Sequence, residues 1–292
     1  MERQVWLTER RAALVAAYDA EAATYGDGPQ PWDVQRAWVA RVLGLIPPGG
    51  TVLDAPCGTG KYFPMLAAAG HRVAGADQSA GMLARAQARG LVFSLQRTSL
   101  QDLSYAGWFD AVLTIEAMQH IPPEDWPGVL ANLRRAVRPA GLVYLTVQDL
   151  HQHHVQRAFE SLRARGLPAV RGELAEEDTP GYHYFPGRDQ AVDWFGRQGL
   201  VIVEEGFRRG NGWGHHHFLL RPARLRRHHD TVRYRQTLVS WLLRARLGQV
   251  DQNDLLCALA AMRNPPSRVV HIGGYMRGCT QASHGAMRET NT

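Results

Sequence analysis

Lysine is almost absent from this chain of 292 residues: Lys61 stands alone, and every other basic residue is arginine. GC-rich coding produces that bias, so it carries no functional message by itself. Cysteine is scarce as well. Cys57, Cys257 and Cys279 lie far apart and form no CxxC pair. That argues against a disulfide framework or a cysteine zinc site, and makes a reducing cytoplasm the expected compartment. No stretch approaches the length of apolar sequence that a membrane-spanning helix needs, and residues 1–26 hold no apolar core ahead of a cleavage site. Membrane spanning and secretion are therefore not expected. An excess of positive charge is missing from most of the chain. Residues 1–220 hold 21 basic and 23 acidic residues, whereas residues 221–292 hold 12 arginines and four acids. The formal net charge of +6 thus belongs to the tail, and a uniformly basic nucleic-acid-binding body is not expected.

Helical spacing dominates residues 1–46. Leu14, Ala17, Tyr18 and Glu21 share a face, Gly26-Asp27-Gly28-Pro29 breaks the pattern, and a second helix is expected from Trp32 to Leu45. Strands and helices then alternate. Strands are expected at Thr51–Ala55, Arg72–Ala76, Leu91–Leu95, Phe109–Ile115 and Leu142–Val147. Between them, helices are expected at Lys61–Ala69, after a Ser79 cap, and from Pro122 to a stop at Pro139-Ala140-Gly141. Trp126, Val129, Leu130, Leu133 and Val137 form the apolar stripe of the last. Such alternation implies a parallel α/β sheet with right-handed crossovers. Residues 151–187 are polar, punctuated by Gly and Pro, and give no clear assignment. A helix at Asp189–Gln198 and strands at Leu200–Glu204 and Trp213–Leu220 follow. In the tail, Asp230 can cap a helix bearing Leu238, Trp241, Leu242 and Ala245, and a second short helix carries Leu255, Leu256 and Leu259.

The segment VLDAPCGTGKY, residues 52–62, concentrates the chemistry. A strand ends in Asp54, glycines at 58 and 60 allow a ligand to approach the backbone, and a helix begins with free N–H groups. Asp77 ends the next strand, where a carboxylate can accept both hydroxyls of a ribose. A dinucleotide fingerprint needs a third glycine where Phe63 stands, and a P-loop needs Ser or Thr where Tyr62 stands. The acid ahead of the glycines suits a ligand that carries a cation.

These residues resemble the class I S-adenosylmethionine-dependent methyltransferases of small-molecule type. Five segments carry the resemblance in order, over about residues 18–220: VLDAPCGTGKY, VAGADQSAGML, FDAVLTIEAMQHIPPEDW, LRRAVRPAGLVYLTV and GWGHHHFLLRP. The resemblance implies an α/β, Rossmann-like, doubly wound and mostly parallel sheet, with N-terminal helices and a C-terminal helical extension. The methyltransferase domain would span 1–222, divided into a helical cap (1–48), a core (49–150) and an acceptor-side insertion with the last strands (151–222). A basic helical tail, 223–292, would follow. The cofactor implied is S-adenosylmethionine, whose methyl group passes to a small molecule by in-line displacement. Asp54, Ala55, Cys57, Gly58 and Gly60 would form the loop around its methionine part, with Asp54 near the ammonium. Asp77 would hold the ribose, and Gln78, Met82, Leu100 and Gln101 would border the adenine. Ser99 stands where many relatives have an Asp for the adenine amino group. Ile115 and Glu116 would line the methionine end, and Tyr18 or Tyr25 would close over it.

A displacement of this kind asks the protein for proximity, alignment and water exclusion, and for a base only when the acceptor must lose a proton. His120, just beyond the fourth strand, is the candidate base. Glu116 is the competing catalytic candidate, with cofactor contact as its other role. His215 and His217 share one face of a strand and His216 takes the other, so no single metal suits all three. His151, His153, His154 and His183 are read as surface or pocket residues, and no metal is expected. Tyr182-His183-Tyr184-Phe185-Pro186 suits either a substrate lid or a packed loop. Asn264-Pro265-Pro266-Ser267 resembles the motif of amino-methylating DNA enzymes, but lacks its aromatic residue and its position, and reads as a helix stop. The other reading of the chain is a nucleic-acid-associated protein whose Arg221, Arg224, Arg226, Arg227, Arg233 and Arg235 bind phosphates. The tail's apolar stripe needs a partner, either the core domain or a second chain in a homodimer.

Overall fold

The computed structural model describes residues 1–26, 33–175, 181–210 and 213–223. The chain divides into two units, Met1–Arg224 and Leu225–Thr292. The first is described here; the two helices expected in the tail and the Asn264–Ser267 motif lie outside the described residues.

Strands β1 (Thr51–Asp54), β2 (Arg72–Asp77), β3 (Ser94–Arg97), β4 (Phe109–Thr114), β5 (Val137–Leu150), β8 (Leu200–Arg209) and β9 (Trp213–Pro222) form one sheet in the order β3-β2-β1-β4-β5-β9-β8. The first five run parallel, and β9 runs antiparallel to both β5 and β8. Val52, Leu53, Val112 and Leu113 are fully buried, as central parallel strands covered on both faces require. Helices α2 (Asp33–Leu43), α3 (Phe63–Ala68) and α4 (Ala80–Ala88) cover one face through Val39, Val42, Phe63, Leu66 and Ala86. The other face is covered by α5 (Trp126–Ala136), α6 (Gln152–Ala164) and α7 (Arg188–Arg197), through Trp126, Leu130, Leu133, Leu162, Ala191 and Phe195. Strand order reverses at β1 and β4. In an open α/β sheet that reversal leaves a crevice at the carboxyl ends of the strands.

Several boundaries differ from expectation. Helix α3 begins at Phe63, not Lys61, because residues 57–62 are taken up by turns in which Gly60 N donates to Cys57 O and Phe63 N to Gly60 O. Helix α5 begins at Trp126, since Pro122–Asp125 close a turn of their own. Pro139-Ala140-Gly141 is no loop. Strand β5 starts at Val137 and absorbs these residues as an irregularity, pairing Val137 with Phe109 and Leu142 with Ala111. Strand β3 starts at Ser94, three residues later than its apolar run; as an edge strand it is buried only in part, so hydrophobicity marks it poorly. The unassigned segment contains α6 and a separate hairpin of β6 (Glu173–Ala175) and β7 (Tyr182–Tyr184).

Helix α1 (Arg3–Glu21) lies across the carboxyl end of the sheet, about 28 Å long at 1.5 Å per residue. One end is pinned to the hairpin. Trp6 meets Tyr182 edge to face at 5.9 Å. Arg3 donates to Glu173 at 2.7 Å and also pairs with Glu124. Glu173 is fully buried and takes two further donors, Tyr182 Oη at 2.6 Å and Val170 N at 2.7 Å. The other end is pinned to α4, where Asp19 accepts from Ser79 Oγ at 2.6 Å and Gly81 N at 2.9 Å. The close approach requires glycine: a Cβ at Gly81 would lie 2.8 Å from that of Ala22.

Candidate active site

The crevice is built first from backbone. After β1 the chain turns through Gly58 (φ 51°) and Gly60 (φ 72°), in the left-handed region that glycine enters without penalty. Cys57 N donates to Ala76 O at 2.8 Å, tying the turn to β2. Asp77, at the end of β2, holds the same turn: its two oxygens accept from Gly58 N at 2.8 Å and Ser79 N at 2.9 Å. Each oxygen keeps a lone pair for a ligand hydroxyl. Burial raises the Asp77 pKa against the pull of these amides. Ser79 caps α4 by accepting from Met82 N at 3.1 Å, as its sequence position implied. Asn132 of α5 donates to the carbonyls of Leu100 (3.0 Å) and Gln101 (2.8 Å), which fixes the turn after β3.

Beyond β4, Glu116 adopts φ 54°, a left-handed conformation that costs a non-glycine residue about 1 kcal/mol. Thr146 Oγ1 accepts its N–H at 2.7 Å, and its carbonyl accepts from Gln119 Nε2 at 2.8 Å. The carboxylate takes Gln35 Nε2 at 3.2 Å and Lys61 Nζ at 3.3 Å. Burial raises its pKa, and Lys61 and Gln35 oppose the rise.

His120 ends a short 3-10 turn, Met118–His120, closed by Trp126 Nε1 donating to Ile121 O at 3.1 Å. Its Nδ1 lies 3.0 Å from the carbonyl of Tyr182, which can only accept, so Nδ1 carries the hydrogen. The lone pair of Nε2 then receives the Tyr18 hydroxyl at 3.1 Å. Burial, with His183 nearby, pulls the His120 pKa down to about 4, so the ring is neutral at neutral pH. His183 packs 4.9 Å from it, ring to ring.

One cleft brings together Tyr25, Ala55, Cys57, Gly58, Asp77, Gln78, Met82, Leu100, Gln101, Ile115, Glu116 and His120. Tyr18 and Tyr25 both line it, edge to face at 5.8 Å. Asp54 and Gly60 stand behind the wall. Asp54 is 1% exposed, and burial pushes its carboxyl up to about 8 against the pull of Lys61. Gly60 shapes the turn, since a Cβ there would lie 2.5 Å from the Phe63 ring. The Gln101 amide reaches Asp125 at 3.1 Å, where Arg11 also pairs at 2.6 Å. Arg11, Leu14, Lys61 and Tyr62 line the cleft without having been singled out. Lys61 had a signal, as the one lysine of the chain directly after the glycine turn. Gln35, Arg11 and Asn132 had none, because helical periodicity does not say which polar residue will face a distant strand end.

The histidines separate. His217 faces α2, within 2.9 Å of the Tyr144 hydroxyl and stacked on Trp38 at 5.5 Å. His216 lies on the other face against Phe207. His151, His153 and His154 are exposed at the start of α6. Among the described residues no three His, Cys, Asp or Glu are grouped to hold a metal ion, and no helix is long and apolar enough to cross a membrane.

Residues 52–141 match the family model described as a methyltransferase domain. The trans-aconitate 2-methyltransferase of Deinococcus radiodurans is 35% identical over 43% of this chain and 49% of its own length. A ubiquinone biosynthesis O-methyltransferase of Aromatoleum aromaticum is 33% identical over 37% of this chain and 47% of its own. The chain thus spans about half the length of these curated relatives. In fold it is similar to the 1,6-didemethyltoxoflavin-N1-methyltransferase of Burkholderia thailandensis, solved with 1,6-didemethyltoxoflavin and S-adenosylhomocysteine. That likeness has a TM-score of 0.57 at 16% identity, covering 76% of this chain and 91% of the other. Residues 52–141 thus match a methyltransferase domain, carried on a fold similar to that of a solved methyltransferase.

Proposed function

We propose that the protein transfers a methyl group from S-adenosylmethionine to a small molecule in the cytoplasm. The observation that carries this reading is the single cleft across the switch point of the sheet. Its lining runs from the turn after β3, past Asp77 at β2 and the glycine turn at β1, to Glu116 after β4. The residues present fit the cofactor. Asp77 retains acceptor capacity for ribose hydroxyls, Gly58 leaves the backbone open, and the Tyr62 hydroxyl is buried without a partner at the opposite end. Met82, Leu100 and Gln101 would border the adenine.

When bound, S-adenosylmethionine supplies an electrophilic methyl group. The remaining work falls to the protein. Helix α1 roofs the cleft with Arg11, Leu14 and Tyr18, which supports exclusion of water and a small acceptor over a polymer. His120 acts as the base: the Tyr182 carbonyl holds its Nδ1 hydrogen, and Nε2 takes the acceptor's proton, directly or through the Tyr18 hydroxyl. Titration calorimetry with S-adenosylmethionine and S-adenosylhomocysteine tests the reading. Binding of both is expected; folded protein that binds neither would overturn it.

A further inference from the structure

Both ring nitrogens of His120 are engaged, and together they give the chain of hydrogen bonds a direction. The Tyr182 carbonyl can only accept, so Nδ1 carries the ring hydrogen. Nε2 can then only accept, and the Tyr18 hydroxyl, 3.1 Å away, spends its one hydrogen there. Burial favours the neutral ring and keeps the Tyr18 phenol protonated, so both groups hold these roles at neutral pH. What Tyr18 offers the cleft that it lines is therefore an oxygen with lone pairs and no hydrogen to give. A carboxylate meets repulsion there, whereas a group that still carries a hydrogen is held. The cations of the cleft each hold an acid already. Among the described residues they are Arg11, paired with Asp125 at 2.6 Å, and Lys61, paired with Glu116 at 3.3 Å. Leu14, Tyr25 and Ile121, which line the same cleft, present apolar or aromatic surface. An uncharged ring fits such walls.

Resting on the methyltransferase reading above, we propose that the acceptor is an uncharged phenol whose hydroxyl donates to Tyr18 Oη, and that Tyr18 relays the proton to His120 Nε2. The step balances. The acceptor oxygen forms its bond to the methyl group, and the S–CH3 bond breaks with its electron pair left on sulfur. The acceptor's O–H proton passes to Tyr18 as the Tyr18 proton passes to Nε2, which leaves an imidazolium. A weak base suffices, because the oxygen becomes a strong acid as it gains its third substituent. Burial disfavours the charged ring, which hands the proton to water between turnovers. An alkylammonium acceptor would have to lose its proton before it could attack, and so weak a base does not remove it. A carbon acid needs a stronger base still.

The test is transfer of label from S-adenosylmethionine, tritiated in its methyl group, to three matched acceptors: phenol, benzoate and benzylamine. Label is expected in phenol, as its methyl ether, and in neither of the others. Label in benzoate or benzylamine would overturn the inference, as would label in none of the three from protein that binds S-adenosylhomocysteine. Protein that binds no S-adenosylhomocysteine would instead overturn the cofactor reading itself. Tyr18→Phe separates a relay from a packing role. It should lower kcat for phenol by about a hundredfold, the low end for general acid–base catalysis, and lower it far less for 4-nitrophenol, a stronger acid that gives up its proton with less help. An equal loss for both phenols would assign Tyr18 to packing and overturn the relay.

Discussion

At His120 a carbonyl that only accepts holds one ring nitrogen and a phenol occupies the other, so the neutral tautomer is defined by its neighbours. His120→Gln is expected to lower kcat by about a hundredfold or more and leave S-adenosylhomocysteine affinity unchanged, the range for loss of a general base. The depressed pKa sets a pH dependence. The folded ring titrates near 4 and the unfolded one near 6.5, so the unfolded state binds more protons in between. Stability carried by this residue is complete above pH 6.5 and is lost as pH falls from 6.5 towards 4. Chemical denaturation across that window should show a shallower loss in His120→Gln than in the wild type. Asp77 combines two tasks, holding the turn and facing the ligand. Asp77→Asn replaces one acceptor by a donor, and calorimetry should read cofactor affinity about tenfold to a hundredfold weaker, as for a hydrogen bond to a charged group.

Helix α1 shows how an element far from the glycine turn completes the cleft. Its Arg3 is one of three donors to Glu173, which is fully buried. Arg3→Met leaves that carboxylate underpaired and should cost about 3 kcal/mol in urea denaturation, the low end for breaking a buried pair. The double variant Arg3→Met, Glu173→Gln should recover most of it, since the amide oxygen can accept from Val170 N while its NH2 group donates to the Tyr182 hydroxyl oxygen. The hairpin β6–β7 belongs to the same arrangement, because its Tyr182 supplies the carbonyl that orients His120. The segment Tyr182–Pro186, open at the sequence level between lid and packed loop, is a strand pinned under α1 over Tyr182–Tyr184.

For the molecule as a whole, ligand binding and folding are coupled. A ligand at a hundred times its Kd adds about 2.7 kcal/mol to the stability of the unit that holds it. S-adenosylhomocysteine at that excess should raise the thermal midpoint by several degrees, read by differential scanning calorimetry. An unchanged midpoint would count against a cofactor site in this cleft.

The parallel strands, the acids that end β1 and β2 and the loop around Gly58 were legible from residues 51–147, because buried strands and glycine turns are local patterns; the order of the strands in the sheet was not. Ser79 as a cap, Asp77 at the end of β2 and His120 after β4 followed from position in that pattern. Boundaries were less legible. Pro139-Ala140-Gly141 looks like a loop in isolation and becomes strand only because β4 lies beside it. The polar segment after β5 carries too little apolar periodicity to announce α6, β6 and β7. What tertiary structure alone decided is the upper wall of the cleft: Tyr18 on Nε2 of His120, Tyr182 on Nδ1, Arg11 over Asp125, Gln35 behind Glu116. Each joins residues that are 62 to 114 positions apart in the chain. Local propensity acts over a few residues, whereas these partners meet only after the sheet has brought the carboxyl ends of its strands together.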